Sequence, residues 1–162
     1  MKALTQSDPN LVQNFSDGVW AAMTINFGPK TATFSYTNLR NLSFGWCVVT
    51  ALGDFDPGMG GQLILWDFKI VVKFPPSSTI FILLAVIKHS NCAVPNGQSW
   101  YSITQFCASN LFRWVDNGFQ NDIDIVQTCT AGEKKERKQA QKERWMKGLQ
   151  NYPTYQELLS GK

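Results

Sequence analysis

Few side chains in this sequence can bind a metal or move a proton. His89 is the only histidine, set in IKHSNCAV at the end of an apolar run. Tyr36 and Asn38 lie two positions apart in TFSYTNLRNLSFGWC, where a strand-like run ends. Residues i and i+2 of an extended chain share a face, so these two present oxygen donors in one direction. Their chemistry is weak. A phenol ligates a metal only as phenolate, against a reference pKa of about 10, and an amide offers a neutral carbonyl oxygen. Asp54 and Asp56 sit in the DFDPG loop and Asp67 follows a strand-like run. Each reads first as an exposed turn carboxylate. Lys88 precedes His89 and points to the opposite face. Cys47, Cys92, Cys107 and Cys129 form no CxxC pair, so zinc-knuckle spacing is absent. Cys47 and Cys107 lie in apolar runs and read as buried free thiols. A lone histidine at a strand end reads first as a hydrogen-bonded structural residue.

The elements that must carry these residues are short and extended. Val19–Phe27, Thr31–Tyr36, Cys47–Leu52, Gln62–Trp66, Lys69–Phe74, Ser78–Ile87, Ser99–Ala108 and Leu111–Val115 read as strands between Gly and Pro punctuation. No helical crossover is expected from Val19 to Phe119, which argues against a parallel sheet. Eight short strands at regular spacing predict a mainly β jelly roll or sandwich. Glu133–Gln150 differs in kind: EKKERKQAQKERWMKGLQ consists of good helix formers up to Gly148. Trp145, Met146 and Leu149 give it one short apolar stripe. Thr154 with Glu157 three residues on predicts a capped final helix. The expected division is a lead-in over 1–17, a β core over 18–120, and a linker with a helical tail packing on the core over 121–162.

Composition permits a core. Hydrophobic residues make up 44% of 162, enough for one packed domain. Residues 1–132 carry seven Lys or Arg against eight Asp or Glu, and residues 133–147 carry seven against three. The basic excess is therefore confined to one segment. Lys134, Lys135, Arg137, Lys138, Lys142, Arg144 and Lys147 could contact nucleic-acid phosphates, although the interleaved Glu residues favour a solvated helix. The N-terminus is polar and lacks a signal-peptide core, and Ser78–Ile87 is too short to span a bilayer. An intracellular protein without a membrane segment is the expectation.

Longer words in the sequence sharpen the reading. FGWCVVTALGDFDPGMGGQLILWDFKIVVKFPP, HSN, YSITQF and LFRWVDNGF follow in one order and spacing. Together they resemble the fungal branch of the TET/JBP-like 2-oxoglutarate, Fe(II)-dependent dioxygenases, over roughly Phe15 to Leu158, with RW..GL at Arg144–Leu149 and EL at Glu157-Leu158 included. The resemblance implies a double-stranded β-helix (a jelly-roll, cupin-like fold) with a C-terminal basic α-helix. It also implies oxidation of a methylated pyrimidine in nucleic acid, a nuclear location if that role is kept, and Fe(II) and 2-oxoglutarate as cofactors. Such chemistry needs a His-x-Asp pair, a distal His and an Arg that grips 2-oxoglutarate. Carried over by position, the His-x-Asp pair falls on Tyr36 and Asn38, the distal His on His89, and the Arg on Trp100, eleven residues after His89. Gln62 stands where the family has His, Leu83-Leu84 where it has Pro-Ser, and Asn110 where it has Gly. Arg113 is kept by the family alongside the usual Arg and is expected to pack or pair.

One of four required side chains survives, so the resemblance implies a short, degenerate and inactive homologue that binds neither cofactor. Losing the Arg alone removes two charge-assisted hydrogen bonds of about 1.5–3 kcal/mol each, roughly a hundredfold or more in cosubstrate affinity. Two other readings stay open. One is an altered oxygenase in which His89 finds unconventional partners. The other is a jelly-roll binding module for nucleic acid or protein. Apolar surface left uncovered would favour self-association.

Overall fold

A computed structural model of the chain describes residues 2–12, 15 and 18–161. Residues 1, 13, 14, 16 and 17 of the expected lead-in lie outside these. Within that segment Lys2–Ser7 form a helix, α1, and bury Leu4. The described residues fall into two compact units, Met1–Leu111 and Phe112–Lys162.

The first unit is antiparallel β structure in two sheets. One sheet has four strands in the order β1-β7-β2-β5: Ala22–Asn26, Ser99–Phe106, Cys47–Asp54 and Thr79–Ile82. The other has three in the order β4-β3-β6: Ile70–Val72, Leu63–Leu65 and His89–Asn91. Every strand pair is antiparallel, in keeping with the absence of helical crossovers. One cluster of buried apolar side chains draws on both sheets, with Cys47, Val49 and Ala51 of β2 meeting Leu63 and Leu65 of β3. Alternation along β2 is incomplete, since Cys47, Val48, Val49 and Ala51 are all buried. Thr50 and Leu52, on the same face as Val48, are only half-buried, so the departure is confined to the start of the strand.

Three expected strands are replaced by something else. Ser78–Ile87 is not one strand. β5 stops at Ile82, Leu83–Ile87 turns through Val86 N–H and Ile87 N–H donating to the Leu83 carbonyl, and His89 opens β6 in the other sheet. The run is apolar because Leu84 and Ala85 are buried in the turn, not because the ladder continues. Thr31–Tyr36 forms a strap bridged only near its ends, Lys30 to Trp100 and Tyr36 to His89. Its middle is held by a side chain: Asn91 Oδ1 accepts from Thr33 N–H and Oγ1, and Asn91 Nδ2 donates to the Thr31 carbonyl at 2.7 Å. At the start of the strap Gly28 lies against the Trp100 carbonyl so closely that any Cβ would collide with it.

Leu111–Val115 is helical, within α2, Ser109–Asp116. LFRWVD has no clear alternation, and the stop signal after it is a helical one. Gly118 takes φ 69°, and Gly118 N–H and Phe119 N–H reach back to the Val115 and Trp114 carbonyls. The Trp114 and Phe119 rings meet edge-on at 5.0 Å, the apolar contact that accompanies this kind of helix end. The second unit continues with α3, Asp122–Thr128, α4, Ala131–Leu149, and α5, Tyr155–Ser160. The expected cap of α5 is present, with Thr154 and Glu157 exchanging hydrogen bonds. An equivalent box, Thr130 with Glu133, starts α4 two residues before its expected start and was legible in the same pattern. Among the described residues no helix is long and apolar enough to cross a membrane.

Candidate functional site

The two sheets of the first unit part on one side to leave a cavity of about 150 Å³. β7 supplies much of its wall with every second residue, Trp100, Ser102, Thr104 and Phe106. This is the period of two expected of one strand face. β1 lies beside it in register, so Asn26 pairs with Ser102 and Thr24 with Thr104. Asn26 Nδ2 donates to Ser102 Oγ at 2.7 Å, which satisfies a polar pair in a partly buried wall. The facing sheet contributes Leu63 from β3 and His89, Ser90 and Asn91 from β6. Apart from Trp100, the wall residues of β1 and β7 were not singled out from the sequence, although their alternation in AMTIN and SWYSITQF was the signal that marks them.

Tyr36, Asn38, His89 and Trp100, separated by up to 64 positions in sequence, all line this one cavity. His89 is 4% exposed and Trp100 5%, whereas Tyr36 is 43% exposed and stands at the rim. Tyr36 and His89 exchange both backbone hydrogen bonds at 3.0 Å, and their rings lie 4.5 Å apart at 50°. Asn38 is placed by its own N–H, which donates to the Leu84 carbonyl at 2.8 Å, and by the turn that Asn41 N–H closes on the Asn38 carbonyl. The Leu83–Ile87 turn therefore aligns Asn38 on one side and leads into His89 on the other.

His89 Nδ1 lies 2.8 Å from the Ile87 carbonyl. A carbonyl only accepts, so Nδ1 carries the proton and Nε2 is left with a lone pair. Burial pushes the imidazole pKa below its ordinary value, only partly offset by the Ile87 carbonyl, and keeps the ring neutral near pH 7. Nε2 is buried with no hydrogen-bond partner among the described residues, and neither has the indole Nε1–H of Trp100. Burial raises the Tyr36 pKa, so its phenol keeps its proton.

The carboxylates weighed as alternative ligands, Asp54, Asp56 and Asp67, lie away from the cavity. Asp67 Oδ2 accepts from Lys88 N–H at 2.6 Å, and Asp56 Oδ1 accepts from Gly58 N–H within its loop. Asp54 is exposed at the end of β2. None of these three lines the cavity. Arg113 pairs with Asp122 at 3.7 Å in the second unit. Among the described residues no three His, Cys, Asp or Glu side chains are grouped so as to hold a metal ion. All four cysteines are free; Cys47 is buried as expected, but Cys107 is only partly so. The cations of α4 are exposed except Arg137, whose guanidinium donates to Asn117 Oδ1 at 2.7 Å.

No family model and no curated protein matches the sequence. Solved structures do match in part. One is NgTET1 in complex with 5mC DNA, at 14% identity over 56% of this chain and a TM-score of 0.49. The match takes in 34% of that chain, about a third of its length.

Proposed function

We propose that this chain is a catalytically silent relative of the TET/JBP-like 2-oxoglutarate, Fe(II)-dependent nucleic-acid dioxygenases, built on a double-stranded β-helix. One observation carries the reading. The four positions assigned to the metal and cosubstrate ligands by sequence resemblance, Tyr36, Asn38, His89 and Trp100, meet at one cavity between two antiparallel sheets. A wrong alignment would scatter them.

The side chains present do not suit the cofactors. His89 Nε2 offers one good nitrogen lone pair. Tyr36 holds its proton and Asn38 has no charge, so nothing at the other two positions neutralises Fe(II). No Lys or Arg lines the cavity among the described residues, so the carboxylates of 2-oxoglutarate would be buried without a counter-charge. Trp100, at the expected Arg position, lines the cavity with an uncharged indole.

The test is metal content and 2-oxoglutarate decarboxylation of the purified chain, beside the variant Tyr36→His/Asn38→Asp. The unaltered chain is expected to hold no stoichiometric Fe(II) or Mn(II) and to turn over no 2-oxoglutarate. The variant, with His89, is expected to gain metal. Stoichiometric metal with turnover in the unaltered chain overturns the proposal, and a folded variant that gains none removes the alignment beneath it.

A further inference from the structure

The cavity retains features that the loss of a metal site does not account for. A buried acceptor without a partner costs stability, and native structures rarely leave one unsatisfied. Here a buried acceptor, His89 Nε2, and a buried donor, Trp100 Nε1–H, belong to two residues that line the same space. The Nδ1 end of the imidazole is turned to its own backbone at Ile87, which leaves Nε2 as the unpartnered nitrogen of a ring that lines the cavity. A space of about 150 Å³ is of the size that admits a benzene-sized guest in an apolar interior. Val49, Leu63, Phe74, Leu84 and Phe106 supply apolar wall.

Those walls select among guests. No Asp, Glu, Lys or Arg lines the cavity among the described residues, so an ionic guest would shed its hydration for nothing. A wholly apolar guest would fill the space and leave Nε2 unpaired. A neutral ring bearing one O–H or N–H satisfies both demands. We propose that the inter-sheet cavity is a binding site for a small, uncharged ring compound that donates a hydrogen bond to His89 Nε2. The inference rests on the preceding reading only in taking the cavity to be free of metal.

Phenol and benzene are the probes, since they differ by one hydroxyl. Each is titrated into the ¹⁵N-labelled chain while the His89 Nε2 and Trp100 indole resonances are followed. Phenol is expected to saturate, to move the Nε2 resonance as a new donor reaches it, and to bind about tenfold or more tighter than benzene. In His89→Leu that preference is expected to vanish. The comparison of the two probes on the unaltered chain stands by itself if the variant does not fold. Equal affinity for the two probes overturns the proposal. So does the absence of saturation with only water cross-peaks to the indole N–H, which would assign the space to ordered water. Turnover of 2-oxoglutarate would sink the preceding reading whatever phenol does, and failure of phenol to bind would leave that reading standing.

Discussion

At the scale of the residue, His89 is a buried titratable group in the cavity wall. Its burial has a consequence for stability. The folded chain holds the ring neutral, with a pKa below the ordinary value of about 6.5, while the unfolded chain titrates normally. The unfolded state therefore takes up a proton first as pH falls. Stability is complete above about pH 6.5 and declines below it, with a limiting slope of about 1.4 kcal/mol per pH unit until the folded ring itself protonates. Urea midpoints measured from pH 7.5 to 5.5 should fall in the unaltered chain and stay level in His89→Gln. A slope of equal size in the variant would place the titration elsewhere. His89 was singled out in the sequence as the only histidine, and the structure places it buried in the cavity wall. Its tautomer was not legible there. That depends on the Ile87 carbonyl, and the turn that aims the carbonyl leaves no mark in an unbroken apolar run.

At the scale of the element, the strap from Thr31 to Tyr36 shows how the site is assembled without a ladder. A strand satisfies its backbone through its neighbours, but here Asn91 does so for the middle of the segment. Asn91→Ala removes these bonds and leaves partly buried Thr33 groups to find water. A loss of about 1–3 kcal/mol is expected, with faster amide exchange at Thr33 and Tyr36 than at β7. Unchanged exchange at Thr33 would mean the strap is held by its end bridges alone. In the sequence this segment reads as a strand because its Thr and Phe residues alternate. Alternation reports a preference for extended backbone and is silent on whether a partner strand is available. The same limit explains LFRWVD. Its apolar residues do not alternate, and the deciding signal was the Asn117-Gly118 stop rather than the β-favouring types in the run itself. Where capping chemistry was explicit, at Thr154 and Glu157, the reading and the structure agree.

At the scale of the whole molecule, charge and cavity are held in different units. The cavity is uncharged, and the basic excess lies on α4. Weak retention on DNA at low salt is expected from that helix, lost as ionic strength rises and abolished when Lys134, Lys135, Lys138 and Lys142 become Gln. Retention that survives both the salt and the substitutions would place a nucleic-acid contact on the first unit instead. One arrangement described above also has a meaning in time. β1, near the start of the chain, pairs in register with β7, so that Asn26 meets Ser102 across 76 positions. Both strands are walls of the cavity. Contacts between residues so far apart form late, after shorter loops have closed. During synthesis the cavity has no existence until β7 has left the ribosome. His89, already made by then, waits in a chain that cannot yet enclose it.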